Sequence, residues 1–562
     1  MRVVSSLARL YPFPVDADAD LRRALAFLGW EPPAAAFVRA SYGLWLLGLG
    51  LAVVCAVAVS LFYGLVTAAL TLVAAAALTA LPRLFATARR TRALADAPGL
   101  VGRAVLSMRL SPSPERAAEF AARHGQTTLG ARLAGHVRRA RSTQASALEG
   151  FGTAWAEWFP ALERSLAMVV AAGSLPPAER AAALDRALTV VLDGTRDQLR
   201  SFTEEIRGPV TALYAFGILL PTALVALLPA GAAAGLGVTL PAVALVYDLF
   251  LPVVFVTASA WLLARRPATF PPPAVDRTHP DVPDRRLLAV AVGGITGLTG
   301  WVVTGLAFPP WAPPLAAVGL GVGTGLVCHF RPYLAVHDDV RAIEAELTDA
   351  LSLVGRHVSN GRSVEAAVAV AATELSGPAG DLFERAVAQQ RQLQIGVERA
   401  FLGDHGVLDA VPSPRVRESV AFLTVAATYG RPAGPAIRAL AEHVDDLKRV
   451  ETEARHSLQS VCGALQSTGA LFGPLVAGAT VALADGMTGA KTVALSGGET
   501  TLPWLGLAVG GYALVLPVVL PTLATGLVRG LDRALVGFRV GRALVAATVV
   551  YLGTYLLVGG VA

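Results

Sequence analysis

The chain has 562 residues, of which 54% are hydrophobic and 16% charged, and its mean hydropathy is +0.56. Soluble globular proteins carry roughly 25% charged residues, so this composition argues against a purely soluble enzyme. The net charge of +6 would indicate nucleic-acid binding in a soluble protein. Arginine at the cytoplasmic face of a membrane protein explains this charge more simply. We therefore predict no nucleic-acid partner.

The first element, residues 1–39, precedes the first apolar run and carries Arg22, Arg23 and Arg39. No short apolar region lies ahead of these arginines, which excludes a typical cleavable signal peptide. We therefore expect residues 1–39 to form a cytoplasmic lead-in segment.

Long stretches that are free or nearly free of charge predict the membrane-spanning helices, because about 20 apolar residues cross the hydrocarbon core of a bilayer. Residues 40–82, for example, contain no Asp, Glu, Lys or Arg and are long enough for two helices. Nine spans are predicted in chain order: two in 40–82, two in 210–264, two in 287–330, two in 457–528 and one in 543–562.

Arginine placement predicts the orientation of these spans. Arginine-rich segments follow the second, fourth, sixth and eighth spans, whereas loops 229–237 and 307–312 lack Lys and Arg and loop 485–501 contains only Lys491. The positive-inside rule places the N-terminus in the cytoplasm and the C-terminus outside. The predicted layout is a cytoplasmic segment 1–39, hairpin 40–82, cytoplasmic domain 83–209, hairpin 210–264, Pro/Arg-rich cytoplasmic linker 265–286, hairpin 287–330, cytoplasmic domain 331–456, hairpin 457–528, and a cytoplasmic link with the last span in 529–562.

The two predicted cytoplasmic domains are nearly equal in length and similar in sequence. A shift of 250 residues aligns 113–151 with 363–401, and ten of the 39 positions are identical. Phe216-Gly217 in the following hairpin likewise recurs as Phe472-Gly473. We interpret the chain as a tandem repeat with a ninth span appended. Each unit has four spans, so both copies share one orientation, unlike the inverted repeats of many secondary transporters.

The cytoplasmic domains carry helical signals. Ser113 before Pro114-Glu115 and Ser363 before Val364-Glu365 are typical helix N-caps, followed by an acid in the first turn. No stretch long enough for a β-strand alternates apolar and polar residues. The predicted fold class is all-α: a polytopic membrane protein with about nine transmembrane helices and two cytoplasmic helical-bundle domains arranged as a tandem repeat.

One pattern of the second domain is formed by five segments: Leu347–Leu351, Asn360–Ala367, Gly377–Phe383, Gly396–Phe401 and Gly430–Pro432. In these segments the second domain resembles the type II secretion system F family, the membrane platform proteins of type IV pilus, type II secretion and archaellum machines. The first domain is more divergent, because Leu110-Ser111-Pro112 stands where the second has its Asn-Gly-Arg turn. The layout of two such domains, each preceded by a hairpin, is most similar to the archaeal pilus and archaellum platform proteins.

The resemblance implies a platform protein in the cytoplasmic membrane of a prokaryote. Its implied partners are a cytoplasmic assembly ATPase, pilin-like subunits and the lipid bilayer, and a homodimer is left open. The alternative is a permease subunit of a transporter that a separate ATPase drives. The spans argue against the permease because they show one acid, Asp248, and no evident polar pathway.

No motif gives the chain chemistry of its own. The two lysines, Lys448 and Lys491, lie in no phosphate-binding loop, and the three cysteines are far apart. We therefore predict no enzymatic activity, no cofactor and no metal site.

Charged residues supply the candidate interaction sites. Residues 83–209 hold 18 arginines against 12 acids, whereas residues 331–463 hold 14 basic against 18 acidic residues. Complementary charge between two protein surfaces sets their register and their rate of encounter. One hypothesis is therefore that exposed charges on these domains dock the ATPase. The alternative is that the charges are solvated or join the two domains to each other. The docking candidates are Arg138, Arg139, Arg141, Glu344, Glu346, Asp445 and Asp446.

Asp248 is a candidate intramembrane polar contact, either between helices or with a passing pilin. The alternative is a packing role only, with the carboxyl protonated or placed beside Tyr247 or a backbone group.

Overall fold

A computed structural model describes residues 2–124, 128–141, 146–221, 223–225, 227, 243–266, 275, 279–429, 433–489 and 502–560. Over these residues the protein is all-helical and contains no strand. The α-helices are α1 (Arg2–Ala8), α2 (Ala19–Leu28), α3 (Ala34–Ala58), α4 (Leu61–Leu94), α5 (Ala97–Leu110), α6 (Pro114–His124), α7 (Thr128–Ala140), α8 (Ala147–Trp155), α9 (Pro160–Ala171), α10 (Pro177–Tyr214), α11 (Leu251–Arg265), α12 (Arg286–Ala307), α13 (Ala312–Ser359), α14 (Val364–Glu374), α15 (Pro378–Leu393), α16 (Val397–Leu402), α17 (Pro414–Tyr429), α18 (Ala433–Ser467), α19 (Gly473–Gly489), α20 (Leu502–Arg529) and α21 (Arg533–Gly559).

The described part of the chain contains nine helical stretches that are long and apolar enough to cross a membrane, as the sequence predicted. By length and composition they make the chain a multi-pass membrane protein. Side chains on their outer faces, such as Val57, Leu287 and Leu306, are more than four-fifths exposed. The stretches are Ala34–Ala58, Tyr63–Leu110, Pro177–Val225, Leu245–Arg265, Arg286–Ala307, Ala312–Ser359, Cys462–Gly486, Leu505–Arg529 and Arg533–Gly559.

Two helical bundles are built from the more polar segments, and each has its own apolar core. The first bundle comprises the end of α4, α5–α9 and the start of α10, around Leu100, Phe151 and Leu162. The second bundle comprises the end of α13, α14–α17 and the start of α18, around Leu351 and Phe383.

Both predicted helix N-caps are confirmed. Ser113 Oγ accepts a hydrogen bond from the backbone N–H of Arg116 at 3.3 Å, and Ser363 Oγ accepts one from Ala366 at 3.2 Å. Each serine thereby satisfies one of the unpaired N–H groups that begin a helix, which fixes the starts of α6 and α14.

Four long helices run without a break from the apolar part of the chain into the bundles. The domain boundaries expected after residues 82, 209, 330 and 456 all fall inside helices, namely α4, α10, α13 and α18. Pro82, Pro209 and Pro332 lie within three of these helices close to the expected boundaries. A charge pattern identifies which residues leave the membrane, but it gives no reason for a helix to end there.

The last helix is longer than its charge-free part. α21 begins at Arg533, ten residues before the predicted span, because Asp532 caps it by accepting a hydrogen bond from Leu535 N–H at 2.8 Å. Arg539 donates to Thr525 Oγ1 at 3.2 Å, so at least this arginine of the expected link packs against α20.

The hairpin α12–α13 is held together by close approach of small residues. A Cβ at Gly293 would lie 2.7 Å from the Gly321 carbonyl oxygen, and one at Gly297 would lie 3.0 Å from the Ala317 carbonyl oxygen. Small residues at this spacing let two membrane helices pack backbone against backbone.

Several predicted features lie outside the described residues. They are loop 229–237, most of loop 485–501 with Lys491, the turn Gly430–Pro432 and half of linker 265–286.

Candidate coupling interface between the two bundles

A buried arginine joins the two bundles. Arg103 lies on α5 of the first bundle, and its side chain is only 7% exposed. Its guanidinium donates to Asp96 Oδ2 and to Glu418 Oε2, both at 2.8 Å, and Glu418 belongs to α17 of the second bundle. One buried cation therefore binds a carboxylate from each bundle, and the contact requires both bundles to be in place.

The ionic cluster continues into the second bundle. Arg415 donates to Glu451 Oε2 at 2.8 Å, and its other terminal nitrogen lies 3.9 Å from Glu344 Oε2. Arg455 also pairs with Glu451, one turn along α18. Burial, reinforced by Asp96, raises the pKa of Glu418 to about 7 although Arg103 and Arg415 oppose this shift.

A histidine packs beside this cluster. A Cβ at Gly102 would overlap the imidazole ring of His443, so α5 and α18 approach each other closely only because residue 102 is glycine. Burial, followed by the charges of Arg103 and Arg415, lowers the pKa of His443 to about 4. His443 is therefore neutral at physiological pH.

Apolar contacts extend the interface between the bundles. Leu106 on α5 is part of the second bundle's core, and the rings of Phe120 and Phe422 meet edge to face at 6.3 Å. Farther along, Leu192 and Leu199 on α10 pack with Val450 on α18.

Arg200 of α10 pairs with Glu453 of α18 at 3.0 Å, which extends the ionic contact between the bundles beyond the Arg103 cluster.

The predicted basic candidates lie on the surface of the first bundle. Arg138 and Arg139 are exposed in the last turn of α7, and Arg141 follows the helix. Arg141 donates to Glu119 at 2.6 Å, and this hydrogen bond lowers the pKa of Glu119. Both side chains of that pair are more than one-third exposed, so the pair adds little stability.

The structure gives Glu344 and Glu346 contacts within the second bundle. Glu344 accepts a hydrogen bond from Ser413 Oγ at 2.6 Å, in addition to its contact with Arg415. Glu346 accepts one from the backbone N–H of Ala379 at 2.9 Å, in the first turn of α15. A carboxylate at that position satisfies an N-terminal N–H group and faces the positive end of the helix.

Asp445 and Asp446 are half-buried on α18. Asp445 pairs with Arg449 one turn later at 2.7 Å.

Asp248 lies in a π-helical turn, Leu245–Phe250, ahead of α11. A Cβ at Gly511 of α20 would lie 2.8 Å from Asp248 Oδ1, so the carboxylate is close to the backbone of that helix. Its neighbour Tyr247 is buried and donates to the Pro221 carbonyl oxygen at 2.5 Å.

A tyrosine of α20 bonds the backbone of a second π-helical turn, Ala215–Leu219, which contains Gly217. The Tyr512 hydroxyl donates to the Gly217 carbonyl oxygen. The packing of these spans therefore includes buried polar contacts as well as apolar ones.

Sequence reasoning missed two groups of residues. Arg103 and Glu418 are 315 positions apart and belong to no motif, and only the fold brings them together. Asp485 lies one residue beyond a charge-free window and accepts a hydrogen bond from Tyr555 at 2.6 Å. The signal for both was a charged residue embedded among small or apolar neighbours in a helix.

No protein-family model, curated protein or solved structure matches this chain.

Proposed function

We propose that this chain is the platform protein of a type IV pilus-like or type II secretion-like assembly machine in the cytoplasmic membrane of a prokaryote. Its two bundles are cytoplasmic, repeat one ancestral unit and receive motion from a separate assembly ATPase. The spans pass this motion to pilin-like subunits, and the chain contributes no catalysis.

The observation that carries the proposal is the continuity of α4, α10, α13 and α18 between bundle and span. A helix holds its residues in a fixed geometry through backbone hydrogen bonds along its length, and the single proline near the boundary in α4, α10 and α13 removes only one of these bonds in each helix. A displacement of either bundle is therefore transmitted to at least one span. A flexible linker at each boundary would absorb the same displacement.

The contact between the bundles supports the same proposal. Because Arg103 binds Asp96 and Glu418 in a buried site, relative motion of the bundles would separate a desolvated ion pair. We therefore propose that the bundles move as one body when the ATPase acts on either of them.

The tandem arrangement and the family resemblance supply the rest of the support. Ser113 and Ser363 both cap a helix that follows a long helix of their bundle, in agreement with the alignment of 113–151 with 363–401. The Asn360–Ala367 segment that carries part of the resemblance forms the turn and first residues of α14. Under this proposal Asp248 is a polar contact near the path of the pilin.

Capture of the assembly ATPase by the full-length protein tests the proposal. We expect the purified chain, in detergent, to retain a secretion-type ATPase from its own cell, with retention weakened by raised salt because the contact is charged. Charge reversal at Arg138 and Arg139 should reduce capture. The matched control reverses Arg164 and Arg186, which are exposed on α9 and α10 of the same bundle.

Equal capture by both double variants would overturn docking at α7. Absence of a secretion-type ATPase from the captured proteins, combined with loss of solute uptake rather than of filaments on deletion, would favour the permease instead.

A further inference from the structure

A cavity of about 610 Å³ opens where the first bundle meets the apolar helices. Its walls come from four parts of the chain: α2, the end of α4, the end of α11, and the pair Glu157-Trp158 just after α8. Ala80 and Thr257 line the part nearest the charge-free stretches, and arginines line the rest. The cavity thus lies at the boundary between apolar and charged segments.

Two of the four lining arginines are already paired. Arg23 bonds Asp20 at 2.7 Å and Glu157 at 3.0 Å, and Arg83 lies 3.4 Å from Asp18. Asp20 and Glu157, the two acids of the cavity, are therefore both engaged by Arg23.

The other two, Arg90 and Arg265, lie over aromatic rings instead. The guanidinium of Arg90 is 4.2 Å from the ring centre of Trp158, and that of Arg265 is 4.1 Å from the ring centre of Trp261. Among the described residues neither has a carboxylate within 4.0 Å, and the buried Nε of Arg90 has no hydrogen-bond partner. A guanidinium stacked on a ring keeps its N–H edge available, and that edge matches the geometry of a phosphate.

We propose that this cavity binds the headgroup of an anionic phospholipid, with the phosphate held by Arg90 and Arg265. Basic pockets beside transmembrane helices on the cytoplasmic side are suited to such headgroups. The apolar side chains next to the cavity fit the rest of a lipid, since Leu84 lines it and Leu81 and Phe85 are exposed on the same helix. A soluble phosphate would share the arginine contacts but leave this apolar surface uncovered.

The lipid would tie together elements that belong to different parts of the chain. It would contact α4 through Arg90, α11 through Arg265 and the first bundle through Trp158. This inference depends on the membrane location of the chain and does not depend on the platform function.

Thermal unfolding of the full-length protein in phosphatidylcholine nanodiscs, with and without phosphatidylglycerol, tests the site. We expect phosphatidylglycerol to stabilise the wild type and the control variant R89Q/R331Q, whose exposed arginines lie outside the cavity. R90Q/R265Q should bind phosphatidylglycerol roughly thirty-fold more weakly, from about 1 kcal/mol per arginine. An unchanged response in R90Q/R265Q would overturn the proposal.

Two further experiments distinguish a lipid from a soluble anion and locate the site. Glycerophosphate should not reproduce the stabilisation, and equal stabilisation by it would assign the site to a soluble anion instead of a lipid. Photoactivatable phosphatidylglycerol should crosslink wild-type protein at residues 80–90 and 257–265, which tests the site even if R90Q/R265Q does not fold. Crosslinks confined to other segments would contradict the proposal.

Discussion

At the residue scale, the central feature is a buried ionic cluster that spans both bundles. Removing charges from water costs several kcal/mol per ion, so such a cluster is retained only when its geometry satisfies each member. Here Arg103 bonds two carboxylates and Arg415 bonds a third. Losing one cation leaves carboxylates buried without compensation, which is far more costly than losing a surface pair.

Arg103→Met should therefore lower the free energy of unfolding by about 3–5 kcal/mol. The measurement is thermal or denaturant unfolding of the purified protein in detergent. Arg116→Met, at an exposed position on α6, is the matched control and should change stability by less than about 0.5 kcal/mol. If Arg103→Met unfolds like the control, the buried cluster does not hold the bundles together.

His443 and Glu418 have opposite pH dependences. The pKa of His443 falls from 6.5 to about 4, so the unfolded chain binds the proton more tightly and folded stability decreases as pH drops between these values. The pKa of Glu418 rises from 4.5 to about 7, so folded stability decreases as pH rises through that interval. The two effects largely offset each other in the wild type between about pH 4.5 and 6.5.

Single substitutions should reveal each effect. Above pH 7, the free energy of unfolding of His443→Gln should depend on pH as that of the wild type does. As pH falls toward 4, the variant should become more stable relative to the wild type by on the order of 3 kcal/mol. Glu418→Gln should instead lose stability as pH falls below 6.5. Protonation of His443 then favours the unfolded chain, and the opposite effect of Glu418 is absent. Unfolding midpoints across pH 4–8 give both profiles, and parallel profiles for all three proteins would contradict the assignment.

Little of this residue-scale picture could be predicted from the sequence. Net charge differs between 83–209 and 331–463, but it does not say which arginine is buried. Glu344 and Glu346 look like a surface acidic pair in the sequence, whereas only the fold brings them to their partners, Ser413 just before α17 and Ala379 at the start of α15.

At the scale of elements, the sequence predicted the spans and the helix starts better than the helix ends. Charge-free windows gave nine spans because lipid excludes unpaired charge, and serine N-caps gave the starts of α6 and α14 because capping is local. The continuity of α4 and α13 across Pro82 and Pro332 could not be predicted, because tertiary packing overrides the local cost of proline.

The glycine seam between α12 and α13 gives an element-scale prediction with an internal control. Gly297→Leu should separate the hairpin and destabilise the protein by about 1–3 kcal/mol, because its Cβ would lie 3.0 Å from the Ala317 carbonyl. Gly294→Leu, three residues earlier with no atom within 4 Å of its Cβ position, should be tolerated. Unfolding in detergent distinguishes the two, and equal tolerance would mean that the helices are not in close contact.

At the scale of the whole molecule, we propose that the two bundles move as one body and that continuous helices connect them to the spans. Arg103 and the α10–α18 contact join the bundles, and α4, α10, α13 and α18 join them to the apolar helices. The glycine-packed α12–α13 hairpin and the Arg539–Thr525 hydrogen bond between α21 and α20 hold part of the spans together. Force applied to either bundle should then move the spans as a group.

Insertion of three glycines after Arg331, inside α13, tests whether a continuous helix is needed to move the spans. The same insertion after Asp404, in the turn that follows α16, is the control. We expect the α13 insertion to keep ATPase capture at the wild-type level but to abolish filament assembly in cells, and the control insertion to support both. Normal filament assembly by the α13 insertion variant would overturn the proposed mechanism, because motion would then reach the proposed pilin-like subunits without a rigid helix.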